Sequence, residues 1–267
     1  MTESRTQEHV LITGGANGLG FALARAHVER GDRVCILDRD ETQGLKAAEQ
    51  LSQGHNDVLF FRCDLTDAAD CERVMAQLSE TWPGLDRLYN NAGIAGSVGK
   101  LEHLTEAAWQ AAFAINVFAV ARMSRLAIPM LKTAQRGRIV NVASMAGLLS
   151  ASHMAAYSAS KAAVISLSET LQKELHKDGI KVTVACPAFF KTQLANSIPP
   201  QETKARASVE KLMANGKLSA DDVAQQIIEA SDTGQFFCLP HRRERWLWYL
   251  KRMSNRALHK VMLAHQP

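Results

Sequence analysis

The sequence predicts an α/β fold: a doubly wound parallel sheet in a single domain, followed by a helical C-terminal extension. Three observations lead there. Strand-like and helix-like segments alternate from residue 9 to residue 239. The strand-like segments are nearly unbroken apolar runs rather than apolar–polar alternations, as expected of strands covered on both faces. The intervening helices are long enough to serve as right-handed crossovers.

The elements follow in order. His-Val-Leu-Ile-Thr at 9–13 is short, apolar and β-branched, and a Gly-rich turn comes next. Helical spacing over 19–29 stops at Gly31. Residues 34–38 form the next strand and 42–52 the next helix. Segments 58–64, 87–91, 138–143, 181–186 and 235–239 repeat the strand signal. The longest helices are expected at 107–132 and 155–177, and Ser219-Ala-Asp-Asp222 reads as a capping box opening another. No linker, low-complexity tract or repeat interrupts the chain. The division is therefore a main body, 1–240, and a basic amphipathic helical extension, 241–267.

Composition narrows the function classes. Of 267 residues, 46% are hydrophobic, enough for a substantial core. The five Cys (Cys35, Cys63, Cys71, Cys186, Cys238) are scattered without a C-x-x-C pair, which argues for reduced thiols and against a metal site. No uninterrupted apolar run approaches the ~18 residues of a spanning helix. The polar start does not read as a signal peptide. A cytoplasmic protein without a membrane anchor is expected. The net charge is +4, but 239–267 holds seven Lys/Arg against one acid, so the remainder carries −2.

The turn Thr13-Gly-Gly-Ala-Asn-Gly-Leu-Gly20 sits between the first strand and the first helix. A turn there must be tight, must let backbone N–H groups approach a pyrophosphate, and must open a helix whose positive end faces it. Gly14, Gly18 and Gly20 suit those demands, with Asn17 and Leu19 between them as further contact candidates. The spacing is G-x-x-x-G-x-G rather than G-x-G-x-x-G. Asp38 closes the second strand, 20 residues after Gly18. A carboxylate there accepts both adenosine ribose hydroxyls and repels an additional phosphate, favouring NAD. Arg39 follows directly and could pair with that phosphate, which leaves NADP open. The main body is thus expected to be a Rossmann-type dinucleotide-binding catalytic domain.

These residues resemble the classical short-chain dehydrogenase/reductase family, and the likeness runs to about residue 239. Its glycine motif matches Thr13 to Gly20. Its acid beside the adenine matches Asp64, followed by Leu65. Its N-A-G motif matches Asn91-Ala92-Gly93, its helix Asn matches Asn116, its Ser matches Ser144, and its Y-x-x-x-K matches Tyr157 and Lys161. Pro187 and Thr192 match cofactor-side positions after the sixth strand, although the usual Pro-Gly is Pro187-Ala188 here, which puts the path of the substrate loop in question. The resemblance implies that Lys161 also holds the nicotinamide ribose, that Asn116 holds a water linking Lys161 to solvent, and that the chain forms a homodimer or homotetramer through its two long helices.

The expected chemistry is hydride transfer between a nicotinamide cofactor and an alcohol or ketone carbon, with Tyr157 as general acid/base. A free Tyr, with a pKa of ~10, is a poor base near neutrality. Tyr157 and Lys161 are four apart on one helix face, so the ammonium, aided by the charge of the oxidised nicotinamide, is expected to lower the phenol pKa. Ser144, just past a strand end, can hydrogen-bond the substrate oxygen. Two alternatives stand beside this reading: an NADPH-dependent 3-oxoacyl thioester reductase, if Arg39 dominates Asp38, and a non-catalytic cofactor sensor or scaffold, against which the intact Asn116, Ser144, Tyr157 and Lys161 argue.

The substrate pocket is expected beyond the carboxyl ends of the strands, walled by 94–101, 146–154 and 189–212. Leu148, Leu149, Met154, Phe189, Phe190 and Leu194 favour a small, mainly apolar substrate: a steroid-, lipid- or aromatic-like alcohol or ketone. Lys191, Lys204 and Arg206 could serve an anion. Residues 241–265 read as a basic helix with an apolar stripe of Trp246, Leu247, Tyr249, Leu250, Met253, Ala257, Leu258, Val261 and Met262, and Trp248 lies off it. The stripe is expected to pack on the body or a partner subunit. Contact with an anionic membrane surface is the alternative. Nucleic-acid binding has no reading motif to support it.

Overall fold

The computed structural model describes residues 7–52, 58–134, 136–256 and 258. The chain runs β1 (His9–Thr13), α1 (Gly18–Glu29), β2 (Arg33–Asp38), α2 (Glu41–Ser52), β3 (Leu59–Arg62), α3 (Ala68–Thr81) and β4 (Arg87–Asn90). Then come α4 (Glu106–Phe113), a π-helical turn (Ala114–Phe118), α5 (Ala119–Leu131), β5 (Arg138–Val142), α6 (Met145–Leu149) and α7 (Ala155–Glu174). It ends with β6 (Lys181–Ala185), α8 (Thr203–Ala214), α9 (Ala220–Asp232), β7 (Phe237–Cys238) and α10 (Arg242–Met253). All seven strands pair in parallel in the order β3-β2-β1-β4-β5-β6-β7, so the winding reverses between β1 and β4.

Burial on both faces explains the apolar runs. In β1, Val10 and Ile12 pack with Leu23 and Ile227 on one side, while Leu11 packs with Val74, Met123 and Leu131 on the other; all are fully buried. The capping box forms as read: Asp222 Oδ2 accepts from Ser219 N (2.8 Å), and Asp222 N donates to Ser219 Oγ (3.1 Å). Three helices that the sequence reading did not place, α3, α6 and α8, complete the set. α3 begins where the Asp67 carboxylate accepts from Ala69 N and Asp70 N.

The long helix at 107–132 is three pieces rather than one, with the π turn in its middle. Taken together, Glu106–Leu131 is long and apolar enough to cross a membrane by length and composition, which corrects the expectation drawn from uninterrupted apolar runs. Its inward side, including Val120, Met123, Ala127 and Leu131, is buried on the sheet.

The amino-terminal edge of the sheet is locked by charge. Arg87 is fully buried, pairing with Glu8 (2.8 Å) and Asp232 (2.7 Å), and it donates to the Tyr89 hydroxyl (3.3 Å). His27 bridges Asp32 (2.7 Å) and the Tyr89 hydroxyl (2.9 Å). Burial pulls the His27 pKa below its ordinary value and pushes Tyr89 up to about 12, so imidazole and phenol both stay neutral. Neutral His27 donates from Nδ1 to Asp32 and accepts the Tyr89 proton at Nε2.

The tail departs from expectation in which side it buries. Leu247, Trp248 and Leu250 are half-buried, whereas Trp246, Tyr249 and Met253 are 60%, 52% and 86% exposed. Trp248, read as off the stripe, is the anchor: its ring lies 5.1 Å from that of Phe237. Lys251 Nζ donates to the Leu148 carbonyl (2.6 Å) beside it. Leu258 is buried; Ala257, Lys260, Val261 and Met262 lie outside the described residues.

Candidate active site

A single cleft of about 1180 Å³ opens along the carboxyl ends of the strands. Its nucleotide half starts at the turn after β1. Gly14 and Gly18 have φ of +63° and +55°, in the left-handed region that favours glycine. A Cβ on Gly14 would sit 2.9 Å from Ala92 Cα, so the turn after β1 and the segment after β4 can approach this closely only with glycine there. Gly20 lies behind the turn, packed on the Gly14 backbone, and does not line the cleft. Asn17 is extended (φ −146°, ψ 165°) and makes no side-chain cap, and α1 has no acid in its first turn, so the helix presents its uncapped positive end at Gly18 and Leu19 of the cleft wall.

The N-A-G segment fixes this geometry. Asn91 Nδ2 donates to the carbonyls of Thr13 (2.9 Å) and Gly14 (3.0 Å), and the Asn91 and Ala92 amides donate to Thr13 Oγ1 (3.0 and 3.1 Å). Asp38 stands at the end of β2, where its carboxylate accepts from Ala16 N and Asp40 N (both 3.2 Å). Asp64 accepts from the Thr66 hydroxyl (2.7 Å) and amide (2.9 Å), which hold its pKa below the usual carboxylate range, and Leu65 follows it on the wall. Arg39 lines the same end, with Asp38, Asp40 and Asp64 around it. The glycine cradle, the free helix end and the carboxylate at the strand tip fit a dinucleotide.

The reacting half is built on β5, α6 and α7. Ser144 caps α6, its Oγ accepting from Ala146 N (3.1 Å) and donating to the Pro187 carbonyl (3.4 Å). Tyr157 and Lys161 share one face of α7, both buried, with Lys161 Nζ 5.8 Å from the Tyr157 ring centre. Lys161 Nζ donates to the Val142 carbonyl (2.8 Å). Burial, the largest influence, pushes the phenol pKa up, and the Ser144 hydroxyl acts against it. In the chain without cofactor, desolvation raises Tyr157 and brings Lys161 itself down to about 8.

Asn116 lies in the π turn, fully buried, outside the cleft lining. Its Nδ2 donates to the Ile94 carbonyl and to Ser160 Oγ (both 3.0 Å), and its Oδ1 accepts from Ile94 N (2.9 Å). A Cβ on Gly93 would meet Asn116 Oδ1 at 2.9 Å and Lys161 Nζ at 3.2 Å, so those side chains converge behind Gly93. Pro187 and Thr192 complete the wall between the halves.

The outer half is apolar: Leu149, Met154, Phe189, Phe190 and Leu194 line it, as the sequence suggests. Leu148 does not; it packs with Trp248 beneath α6. Lys191, Lys204 and Arg206 are also absent from the wall, and Arg206 instead donates to the carbonyls of Ala195 (3.2 Å) and Asn196 (2.9 Å). Val209 and Leu212 of α8 line the cleft from within the expected segment 189–212; sequence reasoning missed Met213 of α8 and Arg243, Glu244 and Leu247 of α10. Ala188 keeps a negative φ, and its amide donates to His241 Nδ1 (3.1 Å), so the loop needs no glycine there and is tied to the tail.

Residues 8–203 match the family model described as short chain dehydrogenase. The 2-(S)-hydroxypropyl-CoM dehydrogenase 3 of Xanthobacter autotrophicus is 32% identical over 85% of this chain and 91% of its own length. A short chain dehydrogenase/reductase from Burkholderia phymatum, solved in complex with NAD, superposes with a TM-score of 0.87 at 29% identity, covering 98% of this chain and 96% of that one. One from Sphingobium yanoikuyae, in complex with NADPH, gives 0.78 at 25% identity over 97% and 96%. Sheet order, motif spacing and the match over most of its length agree: the chain belongs to the short chain dehydrogenase family.

Proposed function

We propose that this oxidoreductase interconverts a secondary alcohol and its ketone on an apolar frame, prefers NAD to NADP, and uses Tyr157 to give and take the proton. The convergence of Ser144, Tyr157 and Lys161 in the cleft that also holds the glycine cradle carries this reading. A bound nicotinamide ring supplies or accepts the hydride. Ser144 Oγ positions the substrate oxygen near the phenol. Burial keeps Tyr157 protonated at neutral pH, ready to donate to a ketone oxygen. In the other direction the phenol must release its proton, and the Lys161 ammonium beside it stabilises the resulting charge. Asn116 acts as a positioning residue, holding the loop after β4 at Ile94 and, through Ser160, the helix that carries both groups.

The cofactor preference follows from charge. Asp38, Asp40 and Asp64 surround Arg39, so an additional phosphate would meet three carboxylates and one guanidinium. The thioester-reductase alternative needs Arg39 to prevail, and this arrangement opposes it. Titrating both oxidised cofactors is the test: NAD is expected to bind at least tenfold tighter, about 1.4 kcal/mol. A tenfold preference for NADP would overturn the assignment. Replacing Asp38 with Ser should narrow the gap.

A further inference from the structure

We propose that α10 docks the enzyme on an anionic lipid surface. Seven residues of α10 are exposed: Arg242, Arg243, Arg245 and Arg252, with Trp246, Tyr249 and Met253. At about 3.6 residues per turn they fall on one half of the helix circumference. Trp246, Tyr249 and Met253 run down the middle of that half, in line with Arg242, while Arg245 and Arg252 flank one side and Arg243 the other. The helix's single acid, Glu244, lies on the opposite half, which faces the protein through Leu247, Trp248 and Lys251.

This face has the chemistry of a bilayer interface. Two amphipathic rings and a thioether can enter the headgroup–acyl boundary, while Arg242 and Arg245 reach lipid phosphates beside them, with Arg252 over the Trp248 ring at one flank and Arg243 at the cleft mouth on the other. A second copy of the chain fits poorly. A two-fold contact through this face would set four arginines against four arginines with no acid between them. A nucleic-acid strand would be met best by charge along the centre of the face, where the apolar stripe lies.

The position is consistent with use. Leu247, on the inner half, lines the outer cleft, and Leu212 at its rim is 50% exposed. A docked α10 therefore brings the cleft mouth to the lipid. Uptake of substrate from the bilayer rests on the apolar-substrate reading above; docking itself does not.

The test uses the full chain with vesicles of phosphatidylcholine alone or with one third phosphatidylglycerol. Co-sedimentation is expected with the anionic vesicles only, weakening as salt shortens the screening length below about 8 Å. Tryptophan emission should be quenched by brominated lipid. R242E/R245E and W246S should each bind about tenfold more weakly or worse, while turnover of a water-soluble alcohol stays unchanged and thermal melting confirms the fold. No binding to anionic vesicles, equal binding to neutral ones, or full binding by both variants would overturn the proposal. So would tighter binding to duplex DNA, or a dimer abolished by the same substitutions.

Discussion

The central residue-level fact is that Tyr157 and Lys161 share a buried site, and burial moves both pKa values towards the neutral forms. The phenol proton is present at every pH below its raised pKa. Ketone reduction should therefore hold its rate through neutral and mildly alkaline pH, whereas alcohol oxidation should climb as pH rises. Rate profiles in both directions check this, and an oxidation rate that falls from pH 7 to 9 contradicts it. Tyr157→Phe should lower turnover about 10²–10⁴-fold with NAD affinity retained. Lys161 also bears on stability. Its folded pKa of about 8 lies below the ordinary 10.5, so the unfolded chain binds the extra proton between those values and stability rises with pH across that window. Below pH 8 the buried ammonium costs about 3 kcal/mol, at about 1.4 per tenfold. The site exchanges stability for chemistry at this position. Motif spacing made the identity of these groups legible, but their protonation was not. It depends on depth in the fold, where desolvation disfavours both charged forms.

Among the elements, strands were the most legible, because each is an apolar run whose two faces are both covered. Their ends read one or two residues long wherever apolar residues continue past the ladder, as at Val58 and Leu239. α8 escaped notice because only Val209 and Met213 of its twelve residues are buried, too few for a clear stripe. The tail helix was legible but its inner side was not, since apolar residues occur around most of its circumference. The π turn at Asn116 left no sequence mark beyond the Asn itself, because it is set by Ile94 and Ser160 from other elements. The helix run Glu106–Leu131 makes its own prediction. Phe118 is 58% exposed there and forms a ring cluster with Phe113, which stacks on Trp109. We propose that this surface is covered in a homo-oligomer. Phe118→Glu should then reduce the solution mass to that of one chain by light scattering. An unchanged mass, or a single-chain mass in the unsubstituted protein, would refute it.

The whole molecule divides by the direction of its sheet. At the amino-terminal edge Arg87, Glu8, Asp232, His27, Asp32 and Tyr89 are tied to one another, and this network touches none of the cleft. Arg87→Met would remove the buried cation that Glu8 and Asp232 share, leaving Glu8 to Arg138 and Asp232 to Arg30, and should lower stability in denaturant unfolding while leaving cofactor affinity unchanged. His27 gives the network an acid limit. Its folded pKa is depressed, so below pH 6.5 the unfolded chain takes up a proton that the native site refuses, and stability falls as pH falls. His27→Gln should flatten that slope in melts between pH 5 and 7. Because all seven strands point one way, every loop leaving a carboxyl end arrives on one rim. Relatives can exchange rim segments, such as those carrying α8 and α10, and acquire new specificities while the opposite rim keeps their melting temperatures level. Diversity of substrates in such a lineage is thus mechanically insulated from its capacity to stay folded.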